Sequence, residues 1–458
     1  MISRFVALGL MVLGVGCQTA KTKAPLATKP ASLVTNQPRV AVQPPTEASS
    51  TLLFPERTTG WKAVDAATRV KIDNFADAYS MFLARAKTVR ATVKRMDRLL
   101  GPIATGKPRT GGLIRIHRMG GKVNGFVRVG QLPLSRGLRL VVVPINTAHI
   151  ELRPAPVYRN AGLVMLDTVV QGKLDPKSWL SHPLSLHIAY QKRGKLIQTV
   201  IGENPADPVL VIPDLLPHLA GHVQRDRIVD SPKRLGAILD TGPGSLPSRL
   251  ATRGLSKRVL ATAEAALVPA GRPTRIGVDR ALISGYGHSH RALAFAAVRA
   301  VQAVNDCPHT VVVVLLDQSN DSRRMVIPAV RTLVADVVMT LAKRATDQFG
   351  FQQILSRSRA LTANSLDGKL HGGLILNPGD ELPEALRYVA ARMSAANAHI
   401  QLAAKASWRG SSRIVSQLDI QSIDIALPSK GLGSPTEVIS ILDLYHGYLA
   451  LQAWIRSD

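Results

Sequence analysis

One seven-residue run constrains the fold more than any other stretch. Thr310-Val311-Val312-Val313-Val314-Leu315-Leu316 is unbroken in its β-branched and apolar character. A strand without polar alternation has both faces covered, as in sheets flanked by helices on either side. Leu138-Arg139-Leu140-Val141-Val142-Val143 ends the same way, and Leu113-Ile114-Arg115-Ile116 alternates. Ala66, Val70, Phe75, Ala78, Phe82 and Val89 recur at helical spacing within 65–101. Further helices are expected at 291–303, 331–349, 385–404 and 438–454, and a strand at 415–427. Short strands at 163–170, 184–190, 196–201 and 209–212 predict a β-rich insertion. The expected fold class is α/β, an open doubly wound mixed sheet with helices on both faces and an inserted β-rich domain.

The chain is long enough for this, at 458 residues with 46% hydrophobic. Two cysteines exclude a disulfide scaffold and a thiolate-cluster metal site. The net charge of +27 disfavours a site needing many carboxylates. It favours anionic neighbours: lipid headgroups, polyanionic glycans, nucleic acid or an acidic partner. Aromatic residues make up only 4%, too few for stacking platforms, so nucleic acid is the weakest of these. There is no GxGxxG, P-loop or GxSxG motif.

The N-terminus reads as a targeting segment. Phe5 to Gly16 is apolar, too short to span a bilayer but suited to a signal peptide, and it ends in Gly14-Val15-Gly16-Cys17. Residues 1–17 are therefore expected to be a lipoprotein-like signal with Cys17 acylated (palmitate). Gln18 follows rather than an aspartate, which points to the outer membrane, facing the periplasm. Residues 18–60, rich in Ala, Thr, Pro and Lys, are expected to form a disordered tether. Cys307 is then a bystander.

In open α/β sheets, ligands and chemistry collect at the C-terminal ends of strands. Pro144-Ile145-Asn146-Thr147-Ala148-His149 follows one strand, Asp317-Gln318-Ser319-Asn320 another, and Pro428 to Ser434 a third. These loops are polar but poor in paired carboxylates and imidazoles. His149, His288, His290, Asp317, Asp367 and His218 are the candidate members of a residual polar site.

Four stretches carry a family resemblance. They are Val141-Val142-Val143-Pro144-Ile145-Asn146 with Leu152-Arg153-Pro154; Trp179 to Leu186 with Ile212-Pro213-Asp214-Leu215-Leu216-Pro217-His218-Leu219; Leu315-Leu316-Asp317-Gln318-Ser319-Asn320; and Asp424-Ile425-Ala426-Leu427-Pro428 through Ser434-Pro435-Thr436-Glu437. Ordered along 72–455, they resemble the M18 zinc aminopeptidases, of aspartyl aminopeptidase and vacuolar aminopeptidase I type. The resemblance implies a zinc-exopeptidase-like domain over 61–155 and 245–458, with a β-rich insertion at 156–244. It also implies two zinc ions, removal of N-terminal residues from peptides, and oligomers built through the β-rich domain.

The family's functional residues do not carry over. The resemblance sets its metal ligands at Pro144, Ser289, Asn320, Asn364 and Gly433, its orienting Asp at Asn146 and its general-base Glu at Ser319. Proline and glycine offer no side-chain donor, and neutral Ser and Asn cannot offset two Zn²⁺ charges. The expectation is therefore a catalytically inactive aminopeptidase-like lipoprotein without a cofactor, acting as a binding or structural module in the cell envelope. Its expected partners are an anionic envelope component or peptide, a homo-oligomer, and the membrane through its lipid. The alternatives are an active M18-type metalloaminopeptidase and a basic polyanion-binding envelope protein.

Overall fold

The computed structural model describes residues 60–457 except 103–107, 161, 215–234, 242–249, 251–254, 319–322, 343–347, 378–382 and 404–411. The expected signal, Cys17 and nearly all of the tether lie outside the described residues, as do His218, Ser319 and Asn320. Among the described residues no helix is long and apolar enough to cross a membrane.

The first helical stretch is two helices. The Asp65 carboxylate accepts from Thr68 N at 2.6 Å and opens α1 (Ala66–Leu83). The Thr88 hydroxyl accepts from Ala91 N at 3.2 Å and opens α2 (Val89–Leu100). The apolar spacing continues across 84–88 and so reads as one helix. Thr88 takes an extended backbone and satisfies one of the free N–H groups that open a new one.

Among the described residues the main sheet has eleven strands. Its central path runs β1 (Leu113–Arg118), β2 (Val123–Arg128), β12 (Val311–Leu316), β3 (Arg139–Pro144), β13 (Arg359–Leu366), β16 (Gln421–Lys430), β17 (Glu437–Ser440), β11 (Leu282–Gly285) and β10 (Thr274–Ile276). β14 (Leu374–Asn377) pairs with β16 and β15 (Ile400–Leu402) with β14. β12, β3, β13 and β16 are mutually parallel, so their C-terminal ends share one edge.

The apolar run at 310–316 explains the layering. Val311, Val313 and Leu315 face one core, while Val312, Val314 and Leu316 face another. The first core packs under α1, α3 (His288–Ala303), α6 (Pro383–Ala395) and α7 (Ile441–Ile455), through Phe75, Phe295, Val389 and Leu451. The second packs under α4 (Arg323–Leu341) and α5 (Gln348–Arg357), through Val330, Leu333, Val337 and Leu355. Each fully buried aliphatic side chain contributes roughly 1.5–3 kcal/mol, so both faces of this strand hold helices in place.

A second, six-stranded sheet is ordered β7 (Lys195–Ile201), β6 (Leu184–Lys192), β9 (Glu264–Pro269), β4 (His149–Asn160), β5 (Leu163–Gln171) and β8 (Gly236–Asp240). It has its own core around Trp179, Leu186 and Leu267. Leu210 and Val211 make only isolated bridges, to Leu184 and Ile238. The closing segment divides as well. Residues 437–440 form β17 against β11, and α7 starts only at Ile441, where the Ser440 hydroxyl accepts from Leu442 N and Asp443 N at 3.1 and 3.3 Å. The segment expected as a strand from 415 begins with a short helix, Ser412–Ser416, and its strand starts at Gln421.

Candidate functional site

The shared C-terminal edge of β3, β12, β13 and β16 collects most of the residues singled out from sequence. Pro144 ends β3 opposite Leu316 of β12. Two residues later, the Asn146 side-chain oxygen accepts from Gln318 N at 2.9 Å and ties the two strand-end loops together. Asn364 lies on β13 beside Ala426 of β16, and its amide donates to Asp424 at 3.4 Å. The Thr362 hydroxyl donates to the same buried carboxylate.

Ser289 and Gly433 meet through a residue to which the sequence reading gave no role. Glu437 is 1% exposed. One of its oxygens accepts from Ser289 N at 2.7 Å and the other from Gly433 N at 3.4 Å. Ser289 lies in the first turn of α3, whose cap, Gly287, has no side chain to offer. The carboxylate thus supplies an acceptor that the helix start lacks, at the end where the helix dipole favours negative charge. Burial still pushes the Glu437 carboxyl above its ordinary range, opposed by these N–H donors and by Arg291.

The loop holding Gly433 is built around glycine. Its φ is +81°, and a β-carbon there would lie 2.9 Å from the Lys173 carbonyl oxygen. The Gly433 carbonyl accepts from Trp179 Nε1 at 2.9 Å and from Asp175 N at 3.0 Å, so the second sheet's core residue closes directly on this loop.

The remaining candidates do not converge. His288 is buried, and its Nδ1 meets the Tyr79 hydroxyl at 2.9 Å. Burial, with Arg291 nearby, lowers its pKa to about 3. His290 Nδ1 meets the Ser289 hydroxyl at 3.0 Å, and the same causes lower its pKa to about 4. His149 bonds the Thr147 carbonyl at 2.8 Å and Glu151 at 3.1 Å. Asp367 pairs with Lys430 at the surface. Asp317 takes its backbone hydrogen bond from its own N–H to the Lys122 carbonyl at 2.8 Å. Of the described members of the proposed residual polar site, α3 holds His288 and His290, His149 and Asp317 line a cleft, and Asp367 pairs with Lys430. Among the described residues, no group of three or more His, Cys, Asp or Glu is gathered where it would hold a metal ion.

That cleft has a volume of about 710 Å³. It runs between α2, the strand ends and the second sheet, with Thr147, His149, Arg291 and Asp317 at one end. Arg291, also given no role from sequence, is 1% exposed. It donates to the Lys87 carbonyl at 2.9 Å and stacks over Tyr286, 5.0 Å from the ring centroid.

Comparison with known proteins fits this architecture. Residues 109–320 match the family "Aminopeptidase I zinc metalloprotease (M18)". A Borrelia garinii protein described as "Probable M18 family aminopeptidase 1" is 26% identical over 461 residues, covering 86% of this chain and 98% of that one. The crystal structure of the M18-family aminopeptidase from Thermotoga maritima superimposes with a TM-score of 0.75, covering 88% of this chain and 99% of the other at 24% identity. The fold is that of the M18 aminopeptidases. Sequence similarity supports the same family. A further solved structure, the "S. cerevesiae mApe1 dodecamer", aligns with a TM-score of 0.65 at 16% identity over 84% of this chain and 96% of its own. Within the M18 fold, Glu437 and Arg291 escaped the sequence reading because each acts through residues distant along the chain. The one available signal for Glu437 was its place at the end of the retained Ser434-Pro435-Thr436-Glu437 stretch.

Proposed function

We propose that this chain uses the M18 aminopeptidase fold as a binding module, without two-zinc peptide hydrolysis. The donor chemistry at the family-equivalent positions carries this reading. A two-zinc centre needs imidazoles and carboxylates to offset its charge and to hold a bridging water. Pro144 and Gly433 bring no side-chain donor. Ser289 and Asn364 bring neutral groups already engaged with His290 and Asp424. These residues do not fit two zinc ions. Zinc analysis of the purified full-length chain is expected to give well below one metal per chain, with aminoacyl-anilide hydrolysis at the buffer rate. Stoichiometric zinc together with turnover would overturn the proposal.

The second reading is an active M18-type metalloaminopeptidase. The family match and the names of the curated relatives favour it, and the same two measurements decide between them. The dodecameric relative supports a further proposal, a homo-oligomer built through the second sheet, which light scattering on the eluting protein tests. We also propose that Cys17 carries the lipid and holds the protein at the outer membrane. Cys17→Ser is expected to remove the acyl mass and move the protein from the detergent phase to the aqueous phase; unchanged partitioning would remove the anchor from the account.

A further inference from the structure

The 710 Å³ cleft is cationic beyond what its own acids neutralise. Eight Lys and Arg side chains line it against four Asp and Glu, with Lys87 already held at 2.7 Å by Glu203 from outside the lining. Three of those acids have named side-chain partners. Glu264 pairs with Arg90 at 2.7 Å, and Glu151 bonds His149 and Gln171 at 3.1 and 2.8 Å. Asp97 lies 3.5 Å from Arg115 and 3.6 Å from His117. Arg85, Arg95 and Arg98 at the rim have no ion-pair partner among the described residues. Burial and the charges of Arg98 and Arg85 lower the Arg95 pKa, which places the three guanidiniums within mutual repulsion.

The deep end is built. Thr147 is 6% exposed and lines the cleft, and its hydroxyl has no hydrogen-bond partner. Arg291 lines it too, and its Nε is likewise without a partner. No ion pair joins the Arg291 guanidinium to a carboxylate among the described residues; Glu437, which feels its charge, spends its oxygens on Ser289 N and Gly433 N. The guanidinium is held by the Lys87 and Tyr286 carbonyls and the Tyr286 ring rather than by an opposite charge, so an anion at its free Nε would offset its burial. The space for this guanidinium exists because residue 287 is glycine: a β-carbon there would lie 2.0 Å from Arg291 Nη1 and 3.0 Å from Thr147 Oγ1. Those two groups are therefore neighbours at the floor.

We infer that the cleft binds a multivalent oxyanion, with one oxyanion head at Arg291 and Thr147 and a second on the Arg85, Arg95 and Arg98 rim. A planar guanidinium beside a hydroxyl matches phosphate and carboxylate oxygens, and several cations along one wall select for more than one negative group. The cleft volume is that of a small-molecule site. The inference does not depend on whether metal binds at the family-equivalent positions, because none of Pro144, Ser289, Asn364 and Gly433 lines this cleft.

Isothermal titration of the EDTA-treated full-length protein with inorganic tripolyphosphate tests the site, with citrate as the carboxylate arm. Saturable one-to-one binding is expected, tighter for whichever head chemistry the floor prefers and weaker as salt rises. Thr147→Val keeps the shape and removes the hydroxyl; about tenfold weaker binding at an unchanged unfolding temperature is expected. The double variant Arg95→Gln/Arg98→Gln, at the rim, is expected to weaken binding and flatten its salt dependence. Absence of saturation with both anions, or unchanged binding in both variants, overturns the site.

Discussion

Gly433→His is expected to destabilise the protein by about 2–4 kcal/mol without recruiting zinc. The substitution puts an imidazole where the resemblance sets the family's last metal ligand. The backbone there has φ +81°, a conformation that costs an L-residue about 1–2 kcal/mol. Its β-carbon would also press on the Lys173 carbonyl at 2.9 Å, and backbone cannot swing away as a side-chain tip does. Denaturant titration measures the loss, and metal analysis of the same sample measures zinc. A variant as stable as the parent, with an equivalent of zinc, would show that the loop still accepts a ligand. That result would restore the metalloaminopeptidase reading.

Acid is expected to unfold the protein steeply. Burial holds His288, His446 and His290 neutral, at about 3, 3 and 4 against an ordinary 6.5. Below pH 6.5 the unfolded chain protonates these histidines and the folded chain does not. Stability is therefore fully present above that pH and is lost as it falls, by about 1.4 kcal/mol per pH unit for each histidine. His290 keeps some solvent contact and is the softest of the three. Asp443 opposes them. Burial raises its pKa from 3.8 to about 7 despite hydrogen bonds from His371 N and Gly373 N, so it regains stability as pH drops from 7 towards 4. Glu437 acts in the same direction. Three histidines outweigh two carboxyls, leaving a net loss of about 1–3 kcal/mol per pH unit below 6.5. Unfolding temperature measured across pH 4 to 8 is expected to fall on the acid side, and His446→Gln is expected to make that fall shallower. A flat profile between pH 7 and 5 would contradict the buried, neutral state of these rings.

The sheet was legible in sequence for a local reason. A run such as Val311–Leu316 has no exposed face, so its composition reports two covering layers directly. Helix ends were less legible. The apolar spacing of α1 continues into α2, and only the Thr88 hydroxyl marks the break. Val438 and Ile439 suit either a strand or the helix that follows, and pairing with Ile283 and Ser284 decides for the strand. The strand-end loops could be located because parallel strands end where their apolar runs end. The contacts inside the site could not. Glu437 reaches Ser289 across 148 positions, and the Thr147 hydroxyl and Arg291 meet only once β3 and α3 are packed together. Asp367 illustrates the converse: it looks chemical in sequence, yet its neighbour in space is the exposed Lys430.

The Trp179 indole offers an optical handle on this arrangement. The chain contains four tryptophans. Trp179 is fully buried, lies edge-on to Tyr286 and donates to the Gly433 carbonyl across the joint between the second sheet and the main one. A dry indole emits at shorter wavelength than a wetted one. If the second sheet swings as a lobe, the indole must release that carbonyl and meet water, and its emission will move to the red. The joint thus carries its own fluorophore, and movement at this edge of the sheet can be followed in real time without a label.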